Sequence, residues 1–496
     1  MSEPIQLLAS STDLSYDDFV AQFMAPNRPV VLPESAIRHW RARHEWTTDA
    51  GATTGSDAVV VRNIDIDRIE ALFGQAVAPI SDCDVTQTYG MAGLVGTGRS
   101  DDGQPLLKEV TIAKYCDYLR RRRQHVQRQS RSTGTSVESR DGSIGKPGKP
   151  GDHDGTIVSD PLPADRCIYL KDWHMTRDFP GYNAYELPVY FSDDWLNGYW
   201  DECGSLDQNR RDDFRFCYIG PAGSWTPVHF DVMSSFSWSA NICGRKKWIF
   251  FPPEAREMLT DAAGELLSDV RSVDETRFPN FRNAPRIELF QEEGQLVFVP
   301  SQWYHQVINL TDVISINHNW ANGCNILGMW QLAKEDAQLV ATDLSLESAS
   351  LDEISTSKQH GAVAAVRSPA APAAMFGLMA ATAEQAMTVQ DLLRANGSLD
   401  FRAMHDLCMV QVRKIQQRSH QLALLAPSAV TAEVCAARNR HVSDLKTIRQ
   451  ILTDISRSTF YRECRDAWPA SIDIEQELSE QETLQRRLTE LFESFK

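Results

Sequence analysis

The run Thr226-Pro-Val-His229-Phe-Asp231, answered far downstream by His305 in Pro300-Ser-Gln-Trp-Tyr-His305, constrains this chain more than any other feature. Two histidines and one carboxylate make half of an octahedral shell. That set suits iron(II) and leaves positions open for an oxidant and a co-substrate. His229 and Asp231 lie two apart, so on a strand both side chains leave from the same face. His305 has to come from a strand distant in sequence, so the site requires a folded sheet rather than a local loop. A His-x-Asp triplet alone is weak, because most such triplets are surface polar residues. Here the flanks are apolar. Gly294-Gln-Leu-Val-Phe-Val-Pro300 reads as a buried strand running up to His305, and Cys217-Tyr-Ile-Gly220 as another that ends in a glycine/proline turn. Polar ligands on buried strands need partners, and a metal is one.

Asn241-Ile-Cys-Gly-Arg-Lys-Lys-Trp-Ile-Phe-Phe251 reads as a strand interrupted by a glycine. Alternation puts Ile242, Lys246, Trp248 and Phe250 on one face, and Arg245, Lys247, Ile249 and Phe251 on the other. A lysine among inward aromatics needs an anionic partner. The dicarboxylate 2-oxoglutarate would supply one; the bland alternative is that Lys246 snorkels to the barrel mouth.

In order and separation, Thr-Pro-x-His-x-Asp, Gly-Arg-Lys-Lys-Trp, Phe-Pro-Pro and Val-Pro-x-x-Trp-x-His resemble the jumonji-C family of iron(II)- and 2-oxoglutarate-dependent oxygenases. The resemblance covers roughly residues 165 to 330. Leu170-Lys-Asp-Trp-His174, Phe191-Ser-Asp-Asp-Trp-Leu-Asn197, Ser235-Phe-Ser-Trp238 and Asn317-His-Asn-Trp-Ala-Asn-Gly323 resemble one branch, whose members are lysyl hydroxylases of the eukaryotic translation-termination release factor. Carried over motif by motif, the resemblance implies His229, Asp231 and His305 as iron ligands and Lys246 as the partner of the 2-oxoglutarate C5 carboxylate. It implies Thr226 as an assisting hydroxyl, and Asn317 and Asn319 as late-strand polar contacts to the co-substrate. Tyr218, on the strand before the triplet, is a further co-substrate candidate. His318 falls on the opposite parity from Asn317 and Asn319, so it reads as a satisfied histidine on the helix-packed face rather than a fourth ligand.

At 496 residues the chain is long enough for two or three domains. Its net charge of −17 argues against non-specific nucleic-acid binding. Arg120-Arg-Arg-Arg123 is a basic run bordering a polar linker and reads as solvated. No stretch approaches about 18 uninterrupted apolar residues, and the first residues lack a basic region and an apolar run, so neither a membrane span nor a signal peptide is expected. The ten cysteines include no C-x-x-C pair, which fits a reducing cytoplasm or nucleus.

The chain divides into residues 1–127, a helix and strand region contributing to the core; 128–160, a disordered low-complexity insertion; 161–330, the catalytic barrel; and 331–496, a helical region. Helices are expected over residues 13–25, 106–123, 253–259 and 475–495, and strands over 27–32 and 58–62. Apolar stripes such as Met404, Cys408, Val412 and Ile415 point to a C-terminal bundle that serves either a homodimer or a brace for the barrel. His405, His420 and His441 lack ligand spacing and read as ordinary surface or packing histidines.

The expected fold is mainly β with α: a double-stranded β-helix, the jelly-roll type of barrel, with flanking helices and the metal in its mouth. The implied activity is protein hydroxylation with iron(II), 2-oxoglutarate and dioxygen, ascorbate serving as reductant. The implied partner is a protein substrate, the release factor, in the cytoplasm or also the nucleus. N-methyl-lysine demethylation, or hydroxylation of another residue, would use the same cofactors. A non-catalytic cupin-like binding module is the alternative from a different class.

Overall fold

The computed structural model describes residues 5–8, 14–52, 60–84, 107–132, 161–206, 213–354, 383–395, 399–424, 431–463, 468 and 472–493. Fifteen strands run through its first two thirds. The N-terminal ones are β1 (Gln6–Leu7), β2 (Val30–Leu32), β3 (Thr47–Ala52), β4 (Val60–Ile64), β5 (Val77–Asp82), β6 (Leu107–Thr111) and β7 (Ile168–Trp173). Then come β8 (Arg215–Gly220), β9 (Trp225–His229), β10 (Phe236–Cys243), β11 (Lys246–Phe251), β12 (Ile287–Gln291), β13 (Leu296–Val299), β14 (Tyr304–Asn309) and β15 (Val313–Trp320).

Two sheets face one another. The major sheet has the order β1-β2-β13-β10-β15-β8-β7-β5-β6, and the minor sheet β12-β11-β14-β9, while β3 and β4 form a separate hairpin. From β8 onward the chain passes between the major and minor sheets, which is jelly-roll topology, as the sequence led us to expect. The strands are rich in β-branched and aromatic residues, which suit a pleated surface buried on both sides. Val31, Trp248, Phe250, Val297, Val299 and Val307 fill the space between the sheets. The outer face of the major sheet packs Trp238, Ile242, Phe298, Ile316 and Trp320 against the N-terminal elements. The outer face of the minor sheet packs Ile249 and Phe251 against the segment carrying Leu259, Phe278 and Phe281.

Several expectations change. Residues 241–251 are two strands in opposite sheets, not one interrupted strand. Gly244 turns between them at φ +84°, where a Cβ would run into the Asp312 carbonyl. The turn resets parity, so Ile242 packs on the outer face of the major sheet while Lys246 points between the sheets. Likewise Leu296–Val299 and Tyr304–Asn309 lie in different sheets, and the strand before Pro300 does not itself carry His305.

The expected helix over 106–123 begins only at Ile112, after β6, and runs on to Ser132. It therefore takes up the first five residues of the segment read as an insertion; residues 133–160 lie outside the described residues. Arg120 and Arg123 in that helix are not simply solvated: Arg120 pairs with Asp67 and Glu70, and Arg123 with Asp312. The N-terminal helix is one α-turn, Tyr16–Phe19, continued as π-helix through Met24. The helix expected at 253–259 is a 3-10 turn followed by a short α-turn.

The C-terminal helices form their own core, joined by Trp195, Leu196, Met233 and Ala321 of the barrel region. Helix Ile326–Ile354 packs on the Val232–Ser234 turn directly behind Asp231. No helix among the described residues is long and apolar enough to cross a membrane.

Of the two readings open for it, surface or packing, His405 takes the second, and it does so as part of a buried ion-pair cluster. It is buried in helix Phe401–Ala423, its Nδ1 at 2.9 Å from Asp406 and its Nε2 at 2.8 Å from Glu477 of helix Ile474–Glu493. Burial alone would depress its pKa, but the two carboxylates outweigh it and hold the imidazolium above its usual value. A raised folded-state pKa contributes stability that is full below the unfolded value near 6.5 and is lost as pH rises through the folded value. His405→Gln should therefore lower the melting temperature most at acidic pH, by the equivalent of about 3 kcal/mol. The gap to the native protein should narrow at alkaline pH in a melting series.

Candidate metal centre

His229 ends β9 and His305 lies near the start of β14, and the two are directly paired across the antiparallel ladder. Their ring centroids are 4.3 Å apart. The strand stops at His229, so Asp231 belongs to the turn that follows, where it still reaches the same point. One ligand atom from each of His229, Asp231 and His305 lies within 4.8 Å of the others.

The proton positions follow from the partners. His229 Nδ1 lies 2.8 Å from the Pro227 carbonyl and His305 Nδ1 lies 3.0 Å from the Trp303 carbonyl. A carbonyl only accepts, so Nδ1 donates in each ring and Nε2 is the nitrogen left to act as a ligand. Burial, with His305 close by, pushes the His229 pKa well below its ordinary value, so the ring is neutral. Ser237 donates to Asp231 Oδ2 at 2.7 Å, fixing the carboxylate. Two imidazoles held by backbone carbonyls and an oriented carboxylate are a donor set for a divalent first-row metal, with such outer partners setting ligand orientation.

The rim around this point is strained. Asn27, Asp172, Met233, Ser234 and Gln302 are the described non-glycine residues with left-handed backbone. Three of these positions bond to one another through the segment preceding His305. Ser301 Oγ donates to the Ser234 carbonyl at 2.6 Å, and Gln302 Nε2 to Ser234 Oγ at 3.3 Å. Asn27 donates to the Ser301 carbonyl at 2.8 Å and accepts from the Trp303 indole at 2.9 Å. Strained backbone persists where surrounding contacts over-determine it, and it gathers at functional sites.

Lys246 is 2% exposed between the sheets, and its Nζ donates to Ser315 Oγ at 2.7 Å. Taking an ammonium out of water costs several kcal/mol, and one hydrogen bond returns only about 1.5–3 kcal/mol. Burial accordingly lowers its pKa to about 7. Lys247 faces the other way and pairs with Glu288 at 2.9 Å.

Of the remaining sequence candidates, Asn317, Asn319 and Tyr218 lie on the facing major sheet, and Thr226 lies on β9 of the minor sheet. Asn317 Oδ1 accepts from Ser239 at 3.0 Å, and Asn319 Nδ2 donates to Ser235 at 3.0 Å. Tyr218 lies opposite Ser315 and donates to Asp172 Oδ1 at 2.6 Å. Thr226 is opposite Val307 and accepts from its amide at 3.3 Å. His318 is turned away, 2.5 Å from the Tyr185 hydroxyl and packed on Trp238, as its parity implied. The sequence reading missed Ser237, Ser315 and Asp172. Ser315 shares parity with Asn317 and was within reach of the alternation argument; Ser237 and Asp172 become visible only through their partners.

With this geometry in view, comparison with known proteins is decisive. A model described as "Cupin-like domain" matches residues 16–326. The chain belongs to the cupin-like family. Within it, "2-oxoglutarate and iron-dependent oxygenase JMJD4" of Homo sapiens is 38% identical over 335 residues, 67% of this chain and 65% of the relative. The protein of the same name from Gallus gallus is 36% identical over 67% of this chain and 64% of its own length. "Arginine-specific demethylase JMJ20" of Arabidopsis thaliana is 33% identical over 65% of this chain and 59% of the relative. The match thus spans a little under two thirds of each of these three cupin-like relatives. The iron(II), 2-oxoglutarate and dioxygen that go with such oxygenases suit the residues present: a half-shell of donors at one end of the minor sheet and a buried lysine further along β11 in the same sheet.

Two outcomes follow. Ser237→Ala should weaken Mn(II) binding, measured by electron paramagnetic resonance, by about 10- to 100-fold. Melting of the metal-free protein should fall by only the equivalent of about 1 kcal/mol, one hydrogen bond. Second, a dicarboxylate needs the charged form of Lys246. Its affinity should fall as pH rises above about 7, approaching tenfold per unit where only the free protein's lysine titrates. Lys246→Ala should bind 2-oxoglutarate about 10- to 100-fold more weakly at pH 6.5 and lose that slope, whereas Lys247→Ala should keep it in calorimetric titrations.

Proposed function

We propose that the protein is an iron(II)- and 2-oxoglutarate-dependent oxygenase that hydroxylates a lysine of the eukaryotic translation-termination release factor. The observation that carries the oxygenase part is the convergence of His229, Asp231 and His305 in a barrel whose minor sheet also buries a lysine between the sheets. The lysyl and release-factor parts rest on the branch-like segments Leu170–His174, Phe191–Asn197, Ser235–Trp238 and Asn317–Gly323. This substrate puts the protein in the cytoplasm, where translation terminates.

The metal's contribution when bound is oxidative: 2-oxoglutarate and dioxygen become succinate and carbon dioxide, and one oxygen atom enters a substrate C–H bond. The protein's own residues bind, orient and exclude water. His229, Asp231 and His305 would hold the ion. Lys246, with Ser315 fixing its ammonium, would take the far carboxylate of 2-oxoglutarate. Thr226, Tyr218, Asn317 and Asn319 would complete the polar wall of the co-substrate pocket. The apolar cluster of Trp248, Phe250, Val297, Val299 and Val307 closes the barrel below and keeps bulk water from the charged end.

A second reading, N-methyl demethylation, is favoured by one observation: a relative 33% identical is named an arginine-specific demethylase. Both reactions insert oxygen into a C–H bond of a cationic side chain, so the metal centre does not separate them. Intact-mass analysis does. Release factor incubated with the full chain, iron(II), ascorbate and 2-oxoglutarate should gain about 16 Da. A loss of about 14 Da from an N-methylated substrate, the methyl carbon leaving as formaldehyde, would select demethylation instead.

A further inference from the structure

Asp172 meets the site only as the acceptor of the Tyr218 hydroxyl. It sits in β7 with φ +59°, where the pairing with β8 slips between Leu170 and Trp173. Such a conformation is unusual for a residue with a side chain, though Asp and Asn tolerate it. The irregularity turns the carboxylate towards Tyr218, whose hydroxyl donates to Oδ1 at 2.6 Å. Burial and the nearby charges of Asp172 and Asp231 raise the Tyr218 pKa well above its usual value. The phenol therefore keeps its proton and donates it in the hydrogen bond to Asp172. The other oxygen, Oδ2, is buried and has no hydrogen-bond partner. The adjacent cation, Lys171, bears on His229 and Cys83.

A carboxylate that is oriented, strained and half satisfied lacks one thing, a donor, and the donor it matches best is a cation. Its place fits that role. Tyr218 lies across from Ser315, the residue that holds Lys246, so Asp172 is one hydrogen bond away from the wall facing the metal ligands. A site with an anionic co-substrate end at Lys246 and an unmatched carboxylate at Asp172 separates two charges of opposite sign. We propose that Asp172 receives the alkylammonium group of the substrate side chain, with Tyr218 as the positioning residue that aims the carboxylate. This rests on the reading above that the substrate presents a lysine, and it names the residue that selects it.

The test needs no macromolecular substrate. The full chain loaded with Mn(II) and 2-oxoglutarate is titrated with n-butylammonium, which is the lysine side chain alone, and with n-butanol, its uncharged counterpart. The native protein should bind the ammonium at least tenfold more tightly than the alcohol. Asp172→Asn, which tolerates the same backbone angle, should bring the two within twofold. Asp172→Gly, free of strain at φ +59°, should do the same and guards against a folding defect in the first variant. Tyr218→Phe should fall between. If the native protein does not discriminate, or if both Asp172 variants keep the discrimination, the proposal is overturned.

Parallel assays with release factor separate the two readings. A release factor left unmodified by a protein whose ammonium preference depends on Asp172 removes the release-factor reading and leaves the cation site. A release factor hydroxylated by Asp172→Asn with native KM removes the cation site and leaves the hydroxylase.

Discussion

Everything in this barrel answers to one requirement, that two imidazole nitrogens and a carboxylate oxygen from chain segments far apart meet within 4.8 Å. Lone pairs brought that close repel one another, and a cation held between them offsets the cost. The fold meets the cost by making the arrangement rigid before any ligand arrives. The cross-strand pairing of His229 with His305 sets their spacing, backbone carbonyls fix both tautomers, and Ser237 fixes Asp231.

The interior is divided by charge as well as by sheet. The minor sheet supplies the two histidines and Lys246; the major sheet supplies the hydroxyls and amides of Ser237, Ser239, Ser315, Asn317 and Asn319. Aromatic and β-branched side chains fill the space beneath. Low polarity below and a polar wall above strengthen electrostatic contacts made at the mouth, and the same burial holds Lys246 near neutrality until an anion offsets it.

The outer layers serve the rim. The N-terminal Asn27 ties the segment before His305, and the C-terminal helices pack through Met233 against the turn that follows Asp231. These two supports reach the site from opposite ends of the chain. Left-handed backbone at Asn27, Ser234 and Gln302 is the cost of closing the rim, and the packing around it is what sustains that strain.

Much of this was legible in the residues. The ligand types, their wide separation, and the inward parity of Lys246 relative to Trp248 and Phe250 follow from period-two alternation and donor chemistry. Those are properties of short stretches of chain. The same rule failed across Gly244 and across Pro300, because alternation holds only within one strand and both segments change sheets there. His405 looked ordinary because the carboxylate that pairs with its Nε2 lies on another helix. Ser237 and Asp172 stand in the branch-like segments, but their roles were not legible there, since what defines them is a hydrogen bond made, or left unmade, with a residue elsewhere in the chain. The sequence by itself determined which groups were available and which face each would leave from. Only the tertiary structure decided which of them meet, because sheet pairing and burial are set by contacts between segments that no local pattern encodes.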